Sequence, residues 1–238
     1  MGYRNPVLRG WGQRRCRLGL LLRFKGPGLE GVATRSRYRL RPIAASARNG
    51  PGCWISGGKA TGKTHLLQAV CERGGDSAQF VPLGTIAAAG PDIIDGLQAR
   101  TFVCLDDIDR VAGDEAWEFG LFSLLNALTD AGGVLVCAAA AAPRECGFRL
   151  ADLQSRLGRL PAFQLRPLEE ADRAEALRLR ARHRGLELPS ETASYLLTHG
   201  KRDMASLYGV LDKLDSEALR AKRRLTVPFV KEVLGIRR

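Results

Sequence analysis

The sequence predicts an α/β fold, a three-layer parallel sheet with helices on both faces, followed by a small all-helical unit. Three observations carry this. From about residue 52 short apolar runs alternate with stretches of helical period, a Gly-rich turn joins the first run to the first helix, and after Pro167 only helical patterns remain. Sheets built this way bind ligands at the C-terminal ends of their strands.

Taken in order, the first strand is expected at 53–56 and the first helix at 63–73. A strand at 79–83 (Gln-Phe-Val-Pro-Leu) and a short stretch at 92–99 lead to the apolar strand 102–106. The helix 114–130 carries Trp117, Phe119, Leu121, Phe122, Leu124, Leu125 and Leu128 at helical spacing, which reads as core. Strands 133–138 (Gly-Val-Leu-Val-Cys-Ala) and 162–165 complete the sheet. Beyond it, helices are expected at 168–184, 189–199, 202–216 and 226–236, the last opening on Thr226 as N-cap with Pro228 in its first turn. The chain thus divides into residues 1–50, an α/β domain at 51–166 and a helical domain at 167–238.

The turn after the first strand reads Gly57-Gly58-Lys59-Ala60-Thr61-Gly62-Lys63-Thr64, with His65 next. This is a complete G-x-x-x-x-G-K-T pattern between a strand and a helix, where backbone N–H groups can face phosphates. Lys63 is expected to reach the β- and γ-phosphates and the Thr64 hydroxyl to ligate Mg²⁺. About 40 residues on, the strand Phe102-Val-Cys-Leu-Asp106-Asp107 ends in two acids. Asp106 can hold the Mg²⁺, directly or through water, and Asp107 can orient an attacking water. Together the two segments predict binding of ATP or ADP with Mg²⁺.

At 238 residues the chain can bury one substantial core, or one core plus a small second domain. No run of about 18 apolar residues exists, so no membrane-spanning helix is expected. The cysteines at 16, 53, 71, 104, 137 and 146 form no CxxC pair, and the three histidines have no metal-ligand spacing. Twelve of the 37 Lys and Arg but one of the 25 acids fall in residues 1–50, which therefore hold +11 of the net +12. This stretch reads as a basic arm, mostly loop, with a short apolar segment at 18–24. It suits contact with nucleic acid or an acidic partner, and equally an idle extension or a start assigned too far upstream. Residues 18–22 are too short for the apolar region of a secretory signal.

With these residues in place, the chain resembles the AAA+ P-loop NTPases, and among them the DnaA/Hda family. The resemblance rests on Gly62-Lys63-Thr64-His65-Leu66-Leu67-Gln68-Ala69-Val70, Phe80-Val81-Pro82-Leu83, Val103 to Asp109, Ala112 to Trp117, Pro143-Arg144-Glu145, Asp152 to Leu157, Leu177 to Arg182 and Leu225 to Glu232. Order and spacing are closest to the Hda members, regulators that inactivate the replication initiator DnaA. Initiators carry an extra helical insertion before the Asp-Asp strand and a DNA-reading domain after the lid. The 18 residues 84–101 are too few for the first, and this chain is expected to end at its lid.

The resemblance implies an AAA+ domain with a helical lid, a bacterial cytoplasmic, nucleoid-associated setting, and a role with the DNA-loaded sliding clamp in hydrolysing ATP held by DnaA. Arg156, a surface charge when read alone, falls at the family's arginine-finger position, which acts on a neighbour's nucleotide. Arg202 matches the lid arginine that touches nucleotide. The residue offering a polar contact to the γ-phosphate should lie near Ala140, within a run of five alanines, which argues for slow hydrolysis in this chain's own site. Leu18, Leu20 and Leu22 keep the leucine spacing of the family's clamp-docking motif, with Arg17 where a Gln is expected. Contact with DNA would then be indirect, through the clamp, and a homo-oligomer stays open. The alternative is an autonomous ATPase of helicase-loader type.

Overall fold

Strands of a parallel sheet form where the chain is apolar enough to be covered on both faces, and residues 52–166 supply five of them. The computed structural model describes residues 21–26, 29–34, 52–200 and 204–235. Strands β1 (Leu21–Gly26) and β2 (Leu29–Thr34) precede β3 (Gly52–Gly57), β4 (Ala78–Pro82), β5 (Phe102–Asp106), β6 (Val134–Ala139) and β7 (Ala162–Arg166). The sheet order is β2-β1-β7-β3-β6-β5-β4, and β3, β4, β5, β6 and β7 pair in parallel. All six residues of β6 are buried, as the centre of such a sheet requires.

Register sets the working edge. Ser56 of β3 pairs with Ala139 of β6, and Leu105 of β5 with Cys137 of β6. The phosphate loop, the Asp106-Asp107 pair and the alanine run therefore leave the sheet from the C-terminal ends of neighbouring strands. The helices α1 (Lys63–Gly74), α2 (Glu115–Asp130) and α3 (Ala151–Gly158) join these strands. Asp114 caps α2 by accepting the Trp117 N–H at 3.1 Å. Trp54, fully buried, packs edge-on to Phe148 and donates its indole N–H to the Ala141 carbonyl at 3.0 Å. Between β4 and β5 run only short helical turns, at Leu83–Ile86, Ala87–Ala89, Pro91–Ile94 and Leu97–Ala99.

The chain divides into two compact units, the second running from Pro167 onward and also taking in residues 21–23 and 32–34. The second contains α4 (Glu170–His183), α5 (Ser190–His199), α6 (Met204–Ala221) and α7 (Val227–Leu234). Its own core gathers Leu177, Leu196, Leu207, Leu211, Leu214 and Phe229. The buried Thr192 hydroxyl donates to the Leu225 carbonyl at 2.9 Å. Thr226 stands at the N-cap of α7, with Pro in the first turn, although its side chain makes no capping bond.

Four elements differ from the sequence expectation. Strands occupy 21–26 and 29–34 inside a stretch expected to be mostly loop; the signal was there in the Pro27-Gly28 pair between two apolar runs. Helix α3 stands where no helix was expected, and α6 runs five residues past its expected end. Among the described residues no helix is long and apolar enough to cross a membrane.

Candidate functional site

The loop between β3 and α1 is shaped by its glycines. Gly62, the N-cap of α1, sits at φ 97°, in the left-handed region that side chains rarely enter. Ala60 is also left-handed, at φ 61°. Within the loop the Thr61 hydroxyl donates to the Gly58 carbonyl at 2.9 Å. The Lys63 ammonium donates to the carbonyls of Gly57 at 2.7 Å and Gly58 at 3.0 Å. Gly62 brings no side chain to the helix start, so the first N–H groups of α1 keep the donors that every helix N-terminus leaves open. An anion is the natural acceptor there. Lys59 is exposed and His65 is half-buried at the first turn of α1.

Asp106 closes β5 at 3% exposure, beside the loop helix. Burial pushes its carboxyl above the usual range, opposed by a hydrogen bond with the Thr64 side chain and raised further by the Asp107 charge; Lys63 and the Asp107 backbone pull it back down. One carboxylate oxygen, Oδ1, is buried with no hydrogen-bond partner. An orphaned acid oxygen beside a threonine hydroxyl suits a divalent cation. Among the described residues no group of three His, Cys, Asp or Glu could hold a metal. Thr64 and Asp106 would thus act with phosphate oxygens and water, the usual manner for Mg²⁺.

Asp107 takes a left-handed backbone, φ 53°, at the N-cap of the turn Ile108–Val111. Gly84 lies against it: a Cβ there would stand 2.8 Å from Asp107 Oδ2 and 3.2 Å from its Cβ. Gly84 is thus part of the site's shape, and nothing in the local sequence marks it. Ala140, one residue past the end of β6, is exposed and carries no polar side chain.

Arg156 is on the last turn of α3. Leu153 and Leu157 face inward, 0% and 1% exposed, each contributing about 1.5–3 kcal/mol by burial. That leaves Arg156 on the outer face, its guanidinium 5.2 Å from the Phe122 ring of α2. It joins none of the ion pairs among the described residues. Arg202, Leu18 and Leu20 lie outside the described residues, and Leu22 is in β1.

Residues 170–234 match the family described as Hda, lid domain. Among solved structures the chain is similar to domain III of the replication initiation protein DnaA from Thermotoga maritima. Identity is 21% and the TM-score 0.66, over 82% of this chain and 90% of that one. It is also similar to AMPPCP-bound DnaA from Aquifex aeolicus, at 20% identity and TM-score 0.60, covering 76% of this chain and 64% of that one. The Thermotoga maritima RuvB Holliday junction branch migration motor matches at 16% identity and TM-score 0.56, over 83% and 66%. At such identities the likeness shows the fold alone, an α/β domain followed by a helical unit. The chain spans nearly all of the DnaA domain III structure but less than two thirds of the longer Aquifex DnaA.

Proposed function

We propose that this chain, a Hda/DnaA-related AAA+ protein by its lid and its fold, is a regulator of replication initiation that promotes hydrolysis of ATP held by DnaA. The observation that carries the reading is the exposed Arg156, supported on an aromatic ring and engaged by no carboxylate among the described residues. A guanidinium in that state is free to meet a neighbour's phosphate. Supplied in trans, it stabilises charge on the transferring phosphoryl group and is worth about 10³–10⁵ in rate, roughly 4–7 kcal/mol of barrier.

The chain's own site would act as a holding site for adenine nucleotide. The N–H groups at the start of α1 would take the phosphates, and Lys63 would leave the Gly57 and Gly58 carbonyls for the β- and γ-phosphates. Thr64 and Asp106 would hold Mg²⁺, which neutralises phosphate charge when bound. Asp107 would orient a water, and Arg202 would contact nucleotide from the lid. Ala140 offers no polar contact at the γ-phosphate, so turnover in this site is slow. The second partner is the DNA-loaded sliding clamp, met through Leu18, Leu20 and Leu22, which would bring the protein to the nucleoid without direct DNA contact.

The test is hydrolysis of ATP pre-bound to DnaA, with clamp loaded on DNA and wild type or Arg156→Ala added. Stimulation by wild type that Arg156→Ala loses by about 10³-fold or more is expected. Equal rates would sink the reading. A second reading, an autonomous ATPase of helicase-loader type, is favoured by the nearness of Thr64 to Asp106 in a loop with Lys63 intact. Rapid turnover by the isolated protein, abolished by Lys63→Ala, would select it.

A further inference from the structure

Helix α3 begins without a cap of its own. Its N-cap, Leu150, has no side-chain acceptor for the open N–H groups of the first turn. What holds the start of the helix is instead a side chain of α2, which takes the N–H groups of the two residues leading into it. Glu118, 2% exposed, accepts from the N–H of Leu150 at 2.6 Å and of Arg149 at 2.9 and 3.0 Å. It also accepts from the N–H of Gly113 at 2.6 Å, in the turn that opens α2. Among the described residues no ion pair involves Glu118, so this buried carboxylate is satisfied by backbone donors alone. Four residues further along the same face of α2, Phe122 supports the Arg156 guanidinium. Helix α2 therefore grips α3 at two points, the backbone at its start and the arginine at its end.

We propose that Glu118 is a positioning residue for Arg156, its carboxylate setting the placement of α3 from which the guanidinium reaches the neighbouring nucleotide. This rests on the reading of Arg156 given above. Stabilising a transferring phosphoryl group demands placement to within a fraction of an ångström, and a residue that fixes the helix start controls where its last turn points. Glu118→Gln keeps one acceptor oxygen but turns an NH₂ group toward N–H donors.

The experiment measures the maximal rate and half-saturating concentration for stimulated hydrolysis of DnaA-bound ATP, using the full chain as wild type, Glu118→Gln, Arg156→Ala and the double variant. A fluorescent ADP titration of each variant's own site runs alongside. Glu118→Gln is expected to lower the maximal rate by about tenfold to a hundredfold, with half-saturation and ADP affinity within about twofold of wild type. In the Arg156→Ala background it is expected to cost nothing more. A wild-type maximal rate in natively folded Glu118→Gln overturns the proposal, as does a loss that persists in full without Arg156 or one that follows lost ADP binding. If wild type stimulates no better than Arg156→Ala, the Arg156 reading itself has failed and Glu118 has no reaction to serve. Should Glu118→Gln fail to fold by circular dichroism, Glu118→Asp, which keeps the charge on a shorter arm, is held to the same outcomes.

Discussion

In the phosphate loop, the residues that shape the backbone all lie between Gly57 and Thr64, whereas at the start of α3 the group that holds the entering backbone lies 32 residues away on α2. The first construction is a contiguous motif: glycine supplies the left-handed turn, and the lysine that would meet phosphate already bonds the loop's own carbonyls. The second is an agreement between two helices, with Glu118 and Phe122 on one and the Leu150 N–H and Arg156 on the other. One side would hold a nucleotide by local backbone geometry; the other would present a charge by tertiary placement.

The sharpest way to break this contrast is to damage the loop alone. Lys63→Ala removes a charged donor whose present partners are two loop carbonyls at the edge of solvent. Nucleotide affinity is expected to fall about a hundredfold, since charge-assisted bonds contribute about 1.5–3 kcal/mol each. The unfolding temperature without nucleotide should barely move. Calorimetric titration with ADP and a thermal melt check both halves, and unchanged affinity would show that the loop does not cradle phosphate.

A smaller effect, and a gain rather than a loss, is expected at Ala140. Its exposed position past β6 tolerates a longer side chain, and Ala140→Asn would return a hydrogen-bonding group to the strand end beside the phosphate loop. Intrinsic ATP turnover should rise about tenfold, a fraction of what a preorganised donor is worth in other hydrolases. Steady-state turnover of the isolated protein decides it. No rise would locate the deficit elsewhere, with Asp107 and its neighbour Gly84 the next residues to question.

The same contrast explains what could be read from the chain. The parallel sheet was legible because buried strands such as 102–106 and 134–139 are continuous apolar runs between helical patterns. The helical unit was legible from the stripe of Met204, Leu207, Tyr208, Leu211 and Leu214. Helix α3 was harder. Leu150, Leu153 and Leu157 have helical spacing, but the segment lacks a capping residue, and the side chain that holds its entry, Glu118, lies on another helix. Gly84 was hidden for a related reason: what excludes a side chain there is Asp107, 23 residues on, and no local pattern encodes that approach. Strands β1 and β2 were overlooked because twelve basic residues in the first fifty outweighed a Pro-Gly turn signal.

The mildest prediction separates holding a ligand from holding the fold. Burial raises the folded pKa of Asp106 above its ordinary 3.8. Such a carboxyl contributes stability that is fully present below the unfolded value and lost as pH rises through the folded one. At pH 7 the ionised Asp106, with Oδ1 unpartnered, therefore weakens the nucleotide-free protein. Asp106→Asn should melt at a higher temperature than wild type at pH 7 without nucleotide, and the advantage should shrink as pH falls toward 3.8. Adding Mg²⁺ with ADP should reverse the order, because only the carboxylate gains a cation to satisfy its buried oxygen. If the wild type is the more stable protein at pH 7 with no ligand present, then Asp106 is held by the fold for its own sake. The acid at the end of β5 would then belong with Glu118, as a carboxylate the backbone needs, rather than with Lys63 and Thr64.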